Sequence, residues 1–359
     1  ALDHDARHAA FGFPSPQPRH DPPFNSPDLK KDPAGPKTMT RLQRGLLMVL
    51  PFALWGTAMA AMAPLVQSGG AELVACLRLL PAGVVLLVAV PYLGRSLVID
   101  PGDRGWFLLF TLVDGVLFQW FLAKGLQGTG AGLGSVLIDS QPLVVALLAR
   151  WLIAESINPI GWIGLVVGLA GIVCLGVPSP LLQHWWLQVD AVAPLQEGWQ
   201  AGTGWMLLAA LAMAFGTVLS RYACRGSDPV SVTGWHMVLG GLPLLAWHGL
   251  DASTALIPPW TTLDWVQMAY ASLLGSALAY ALFFWFANRE DLTGFTTLGF
   301  LTPVFALASG GVLLGERLEP LQWLSVLLVL LSVLLVSQRQ RLWEPWLSPS
   351  IPPPGDLQA

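Results

Sequence analysis

Four ionisable residues stand out within otherwise apolar runs of this sequence. They are Arg78 in "LVACLRLLPAG", Asp114 in "FTLVDGVLF", Asp139 in "VLIDSQP" and His236 in "VTGWHMVLG". A charge in such surroundings is expensive and by default marks a solute or proton path. An arginine there holds an anionic group or pairs an acid. An aspartate without a partner takes up a proton and can carry it. The competing reading is structural: an Arg–Asp pair between helices, and a histidine hydrogen-bonded within a core. Ser135 lies four residues before Asp139, on the same helical face. Gln119, Trp55 and Tyr280 complete the candidates for a solute cavity, the last two as aromatic walls. Trp235 and Trp285 are further aromatic candidates, Gln141 could satisfy a carbonyl freed by Pro142, and Lys124 reads as snorkelling to an interface.

Other chemistries find no residues. The stretch "GTGAGLGSVLIDSQP", Gly128–Pro142, has the glycine density of a phosphate loop but no Walker lysine. Gly128/Gly132 and Gly130/Gly134 instead form overlapping G-x-x-x-G pairs, suited to close helix approach. There is no H-E-x-x-H and no G-x-S-x-G. Cys76, Cys174 and Cys224 are far apart and read as packing residues. No cofactor and no metal is expected.

The elements that position these residues must be membrane spans. Of 359 residues, 54% are hydrophobic and 11% charged, with a mean hydropathy of +0.60. A soluble domain carries about 25% charged residues, so much of this surface must face lipid. The net charge of −4 comes with no basic stripe, which excludes nucleic acid as a partner. Ten apolar runs read as spans, at 45–66, 72–91, 105–123, 131–153, 160–177, 203–220, 230–249, 263–287, 292–314 and 320–337. At 1.5 Å per residue, Asp114 lies about 13 Å and Asp139 about 12 Å into the bilayer. Both approach the midplane of a core about 30 Å thick.

Residues 1–40, rich in Pro, Asp and His, are expected to be disordered and lack the apolar core of a signal peptide. Residues 178–202 form an extracytoplasmic connection without Lys or Arg, and 339–359 a disordered tail. Arg41, Arg44, Arg95, Arg104, Arg150, Arg221, Arg225, Arg289, Arg339 and Arg341 all fall on one side, against Lys124 and Arg317 on the other. Both termini are therefore expected in the cytoplasm of a bacterial inner membrane.

The chain also repeats itself. Shifted by 161 positions, Pro142, Glu155, Pro159 and Trp162 meet Pro303, Glu316, Pro320 and Trp323. "WGT" at Trp55–Thr57 matches "FGT" at Phe215–Thr217, and Arg78 falls opposite His236. Thr129-Gly130 falls opposite Thr293-Gly294. The halves, 41–177 and 203–338, hold five spans each, an odd number, so the second enters from the opposite side. Glu155 and Glu316 sit in equivalent turns, where a helix-capping role with Asn158-Pro159 and Glu319-Pro320 is expected. Inverted repeats are the architecture of many secondary transporters, with the solute site near midplane. An aspartyl-enzyme pair is disfavoured, since Asp139 falls opposite Phe300 and Asp114 opposite an apolar stretch near Leu273.

The proline, the Glu-x-hydrophobic-x-Pro turn and the following Trp, with an arginine in the second span, resemble the EamA family of the drug/metabolite transporter superfamily. The strongest part is "LLGERLEPLQW", Leu313–Trp323; the first half has "IAESINPIGW" in its place. The resemblance implies a ten-helix carrier moving a small organic solute through a central cavity. The expectation is an all-α integral membrane protein of ten transmembrane helices in two inverted five-helix repeats. It would work by alternating access as an exporter or exchanger, driven by protons or by solute exchange. Its partners are a small-molecule substrate and the lipid bilayer, and a homo-oligomer is compatible with this. Two readings of another class stand beside it: a non-transporting membrane sensor or assembly protein, and an intramembrane enzyme.

Overall fold

A computed structural model describes residues 40–176, 202–250, 258–306, 308 and 320–347 of the chain. It divides into two units, Ala1–Arg44 and Gly45–Ala359. Of the first, Thr40–Arg44 is described: Thr40 caps the opening turn of a helix, its Oγ1 accepting from Gln43 N while Gln43 Oε1 accepts from Thr40 N.

The second unit is a helical bundle. Six helices are long and apolar enough to cross a membrane: α1 (Arg41–Gly69), α2 (Ala71–Tyr92), α3 (Arg104–Thr129), α6 (Thr203–Ala223), α7 (Pro229–Leu250) and α8 (Thr262–Ala287). The other expected spans are shorter apolar helices: α4 (Gln141–Leu152), α5 (Pro159–Gly176), α9 (Leu292–Ala306) and α10 (Pro320–Ser337). Large apolar side chains point outward, among them Val88, Leu108, Val166 and Leu327, each more than half exposed. Such a surface suits hydrocarbon rather than water.

The equivalent spans of the two halves pack on each other, α2 on α7 and α5 on α10, as expected around a pseudo-two-fold axis in the membrane plane. Loop contacts sort the helix ends onto two faces. On one, Arg95 pairs Asp228 at 2.6 Å, and Asp103 Oδ2 accepts from Gly226 N and from Ser227 N and Oγ. Glu155, Asp291 and Arg339 meet there too. On the other, Gln67 donates to Gln127 O, Trp260 to Ser68, and Lys124 lies 3.0 Å from Glu72. These are the groupings that alternating spans require.

The fourth span departs from expectation. Read as one run over 131–153, it is interrupted by a turn at Asp139–Ser140, between helical backbone over Gln119–Ile138 and α4. Pro142 has no N–H to offer the carbonyl of Ile138, so the helix stops and restarts with Pro142 in its first turn. The backbone over Gln119–Ile138 is itself bent. Methyl groups added at Gly125 and Gly134 would both strike Met206, at 2.7 and 2.8 Å. In a straight helix those positions stand about 13 Å apart. A methyl at Gly202 would meet the backbone of Gly125 and Gly128, so this glycine-rich stretch serves close approach.

Arg339–Leu347 is a further helix, α11, where a disordered tail is expected. Arg339 anchors it, buried against Glu155 at 3.3 Å and Asp291 at 2.7 Å. Asn158, rather than Glu155, caps α5, accepting from Gly161 N ahead of Pro159. Glu155 instead accepts from Thr293 N, at 3.1 Å. The extension before residue 40, nearly all of 178–202, Glu316, Arg317 and Glu319 lie outside the described residues.

Candidate functional site

Both halves contribute to one cavity. From the first half come Phe52 to Met62 of α1, Arg78 of α2, Phe118 and Leu122 of α3, and Asp139 and Gln141 at the α4 break. From the second come Met213 of α6, Tyr280 of α8, and Gly299 and Thr302 of α9. The walls are aromatic and thioether-rich. Trp55 meets Tyr280 with ring centroids 5.0 Å apart. Methionines adapt their shape cheaply, which suits an irregular apolar ligand.

Arg78 supplies the positive charge. Its Nε donates to Ser276 Oγ at 2.7 Å and its Nη2 to Tyr280 Oη at 3.1 Å. Gln119 Nε2 donates to the same Tyr280 oxygen at 3.2 Å. Ser276 in turn donates to Ala271 O, and Ser272 to Arg78 O. The guanidinium is thus clamped by neutral hydroxyls, and among the described residues no carboxylate lies within ion-pair distance of it. A fixed cation bonded directly only by neutral groups has donors left for an anion.

Asp139 lines the cavity, buried, with its carboxyl beside Thr302. The break before Pro142 is what places it there, at a helix end rather than along a helix. Three polar atoms around the cavity have no hydrogen-bond partner in the described residues: Trp55 Nε1, Gln119 Oε1 and Asp139 Oδ2. Gln141 donates to Thr217 Oγ1 on α6 at 3.2 Å, a side-chain bond across the two halves in place of the expected backbone role.

Asp114 and His236 stand apart from this lining. His236 Nε2 is 3.1 Å from Asp114 Oδ2, with both side chains fully buried, though the pair is not aligned as a good hydrogen bond. Asp114 sits in a π-helical segment, Thr111–Phe118, and α8 has its own at Leu273–Leu278, so both halves widen the corresponding span. In an α-helix Asp114 and Gln119 would point about 140° apart. The wider turn, closing bonds five residues on, draws such positions toward one side.

The sequence candidates therefore divide. Arg78, Gln119, Tyr280, Trp55 and Asp139 converge on or beside the cavity. Asp114 and His236 pair behind it. Ser135 is buried one turn before Asp139, whose N–H its carbonyl accepts, and does not line the cavity. Trp235 bonds Leu97 O, and Trp285 lies under Arg95 and Arg289, so both serve the loop face. Lys124 is tied to Glu72. Ser276 and Thr302 are uncharged and carry no flag of their own in the sequence. Thr302 is the 161-position counterpart of Gln141, a signal the repeat already held.

Comparison with known proteins agrees with this architecture. The EamA-like transporter family matches residues 43–177 and again residues 200–338. An uncharacterized transporter of Synechocystis sp. is 46% identical over 315 residues, covering 85% of this chain and 93% of its own. A chloroplastic WAT1-related protein of Arabidopsis thaliana is 43% identical over 296 residues, covering 81% of this chain and 68% of its own. A solved crystal structure shares the fold with a TM-score of 0.67 at 18% identity, over 85% of this chain and all of that one.

Proposed function

This chain belongs to the EamA-like transporter family, and from that premise we propose that it is a secondary carrier for a small organic solute bearing an anionic group on an apolar body. The observation that carries this reading is Arg78, a cation presented to a cavity built by both repeats and balanced there only by neutral donors and acceptors. The anionic group would engage the guanidinium, while Trp55, Met59, Met62 and Phe118 would enclose the apolar part. Asp139, Gln119 and Gln141 would bond the solute's remaining polar groups. The solute path would run between the inverted halves by alternating access, with the arginine-rich face in the cytoplasm. Energy would come from solute exchange or a proton gradient, in the direction of export or exchange across a bacterial inner membrane.

A thermal-shift screen of the purified protein against a panel of carboxylated and phosphorylated metabolites tests the binding step. A ligand present at 100 times its dissociation constant stabilises the fold by about 2.7 kcal/mol. The shift should vanish in Arg78→Gln. A ligand that stabilises wild type and R78Q equally would refute the assignment of Arg78.

A further inference from the structure

We propose that Asp114 and His236 form a proton-binding site behind the cavity, coupled through Arg78 and Tyr280 to the solute's anionic group. The inference rests on the carrier reading and assigns its coupling site.

The pair is built into the interior. Both side chains have no exposure, and Asp114 Oδ1 and His236 Nδ1 lack any hydrogen-bond partner among the described residues. A merely structural Asp–His contact would be expected to satisfy these atoms, because each buried unpaired polar group costs about 1–3 kcal/mol. Here the backbone makes room for the pair instead. Gly216 of α6 faces Asp114, where a methyl would sit 2.6 Å from Oδ1. Gly115 of α3 faces the carbonyl of His236 and Gly240 of α7. Phe110 and Phe284 seal the imidazole, at ring-centroid distances of 4.6 and 5.7 Å.

Charge can be balanced in two ways. Among the described residues, the charged or titratable groups acting on the pair are Arg78 from α2 and Tyr280 from α8, while α6 brings Gly216 against Asp114. With His236 neutral and Asp114 ionised, the aspartate offsets Arg78. When an anion enters the cavity it takes over that role, and one proton from water then neutralises the pair at the imidazole or the carboxyl. Solute and proton therefore bind together, and by reciprocity each favours the other. Asp114 and His236 come from different halves, so the pair also spans the interface that alternating access must rearrange.

The test uses the proton itself as ligand. Full-length carrier labelled with ¹⁵N-histidine is reconstituted in lipid and titrated between about pH 5 and about pH 8. The His236 signal, identified by its loss in His236→Gln, should change protonation state within that range. Its midpoint should move by about one pH unit or more in Asp114→Asn and again in Arg78→Gln. A chain in which His236 is the sole histidine gives the same signal without touching the site, should H236Q fail to fold. A signal that holds one protonation state throughout, or a midpoint unmoved by both D114N and R78Q, overturns the proposal. Solute exchange at equal pH on both sides tests the carrier reading separately: exchange without titration overturns the proton site alone. Titration without exchange of any solute overturns the carrier reading and the coupling with it.

Discussion

Replacing Gly216 by alanine adds one methyl group at the point where α6 touches Asp114. That methyl would lie 2.6 Å from Oδ1, 2.8 Å from Cβ and 3.0 Å from Cγ of the aspartate, against ordinary contacts of about 3.5–4.0 Å. Asp114 cannot yield toward solvent, because it is fully buried. Nor can α3 retreat toward α7, where Gly115 and Gly240 already bring the backbones into contact. The methyl must therefore displace the carboxylate or push α6 outward, at a cost of about 1–3 kcal/mol. Against this stands the gain of about 0.5–1 kcal/mol from replacing a helical glycine with alanine. The net expectation is destabilisation by about 0–2.5 kcal/mol. Gly204, at the start of the same helix with nothing within 4 Å, is the control, and Gly204→Ala should be neutral or stabilising. The assay is thermal unfolding in detergent of G216A, G204A and Asp114→Ala, with the G216A/D114A double variant. Because the clash is with the aspartate, the cost of G216A should shrink or reverse once Asp114 is truncated. If G216A is as stable as G204A, or costs as much without Asp114 as with it, the packing described around this pair is wrong.

Three further outcomes follow from other parts of the molecule. Arg78→Lys keeps the charge but cannot serve Ser276, Tyr280 and a ligand in the same forked geometry. Solute affinity should fall about tenfold or more in R78K and further in R78Q, measured by ligand-induced thermal shift, as expected for charged hydrogen bonds worth about 1.5–3 kcal/mol. At the loop face, burial and the neighbouring Asp291 push the Glu155 carboxyl above its ordinary range. An acid whose folded value is raised binds its proton more tightly in the native state, so its stability cost appears as pH rises from about 4.3, the unfolded value, through the folded one. The unfolding temperature of Glu155→Gln should therefore gain on wild type as pH rises through that window, and parallel pH profiles would refute it. Val166, 59% exposed on α5, faces lipid; Val166→Lys should lower membrane-integrated yield, a central lysine costing about 3 kcal/mol in a bilayer. An unchanged yield would place that face elsewhere.

Much of this architecture is legible in the residues. Ten apolar runs and an odd number per half require an inverted duplication, and the pairing of α2 with α7 and of α5 with α10 follows it. Of the four ionisable candidates within those runs, Arg78 and Asp139 line the cavity, while Asp114 and His236 pair with each other apart from that lining. What escapes sequence reading is local register. The π segments at Thr111–Phe118 and Leu273–Leu278 leave no trace in an apolar run, because hydrophobicity is the same on every face. Asp139 and Asp114 look alike in sequence, each one acid in a span. Pro142 sets the first at a helix break on the cavity, and the π turn sets the second against His236. Thr302 and Ser276 are small polar residues with no charge to flag them, and they acquire meaning through Asp139 and Arg78. The helix after Arg339 is held by Glu155 and Asp291, partners distant in sequence, which local composition does not reveal.

Counterflow is the most direct measurement of the central claim that the cavity presenting Arg78 is a solute path. Proteoliposomes loaded with an unlabelled solute from the thermal-shift screen are diluted into the same solute, labelled, with no gradient of pH or potential. Transient accumulation of label is expected for wild type, reduced in R78K and at least about tenfold lower in R78Q, matching a loss of about 1.4 kcal/mol. Accumulation in folded R78Q at the wild-type rate, or none in wild type for any solute that binds, would contradict it.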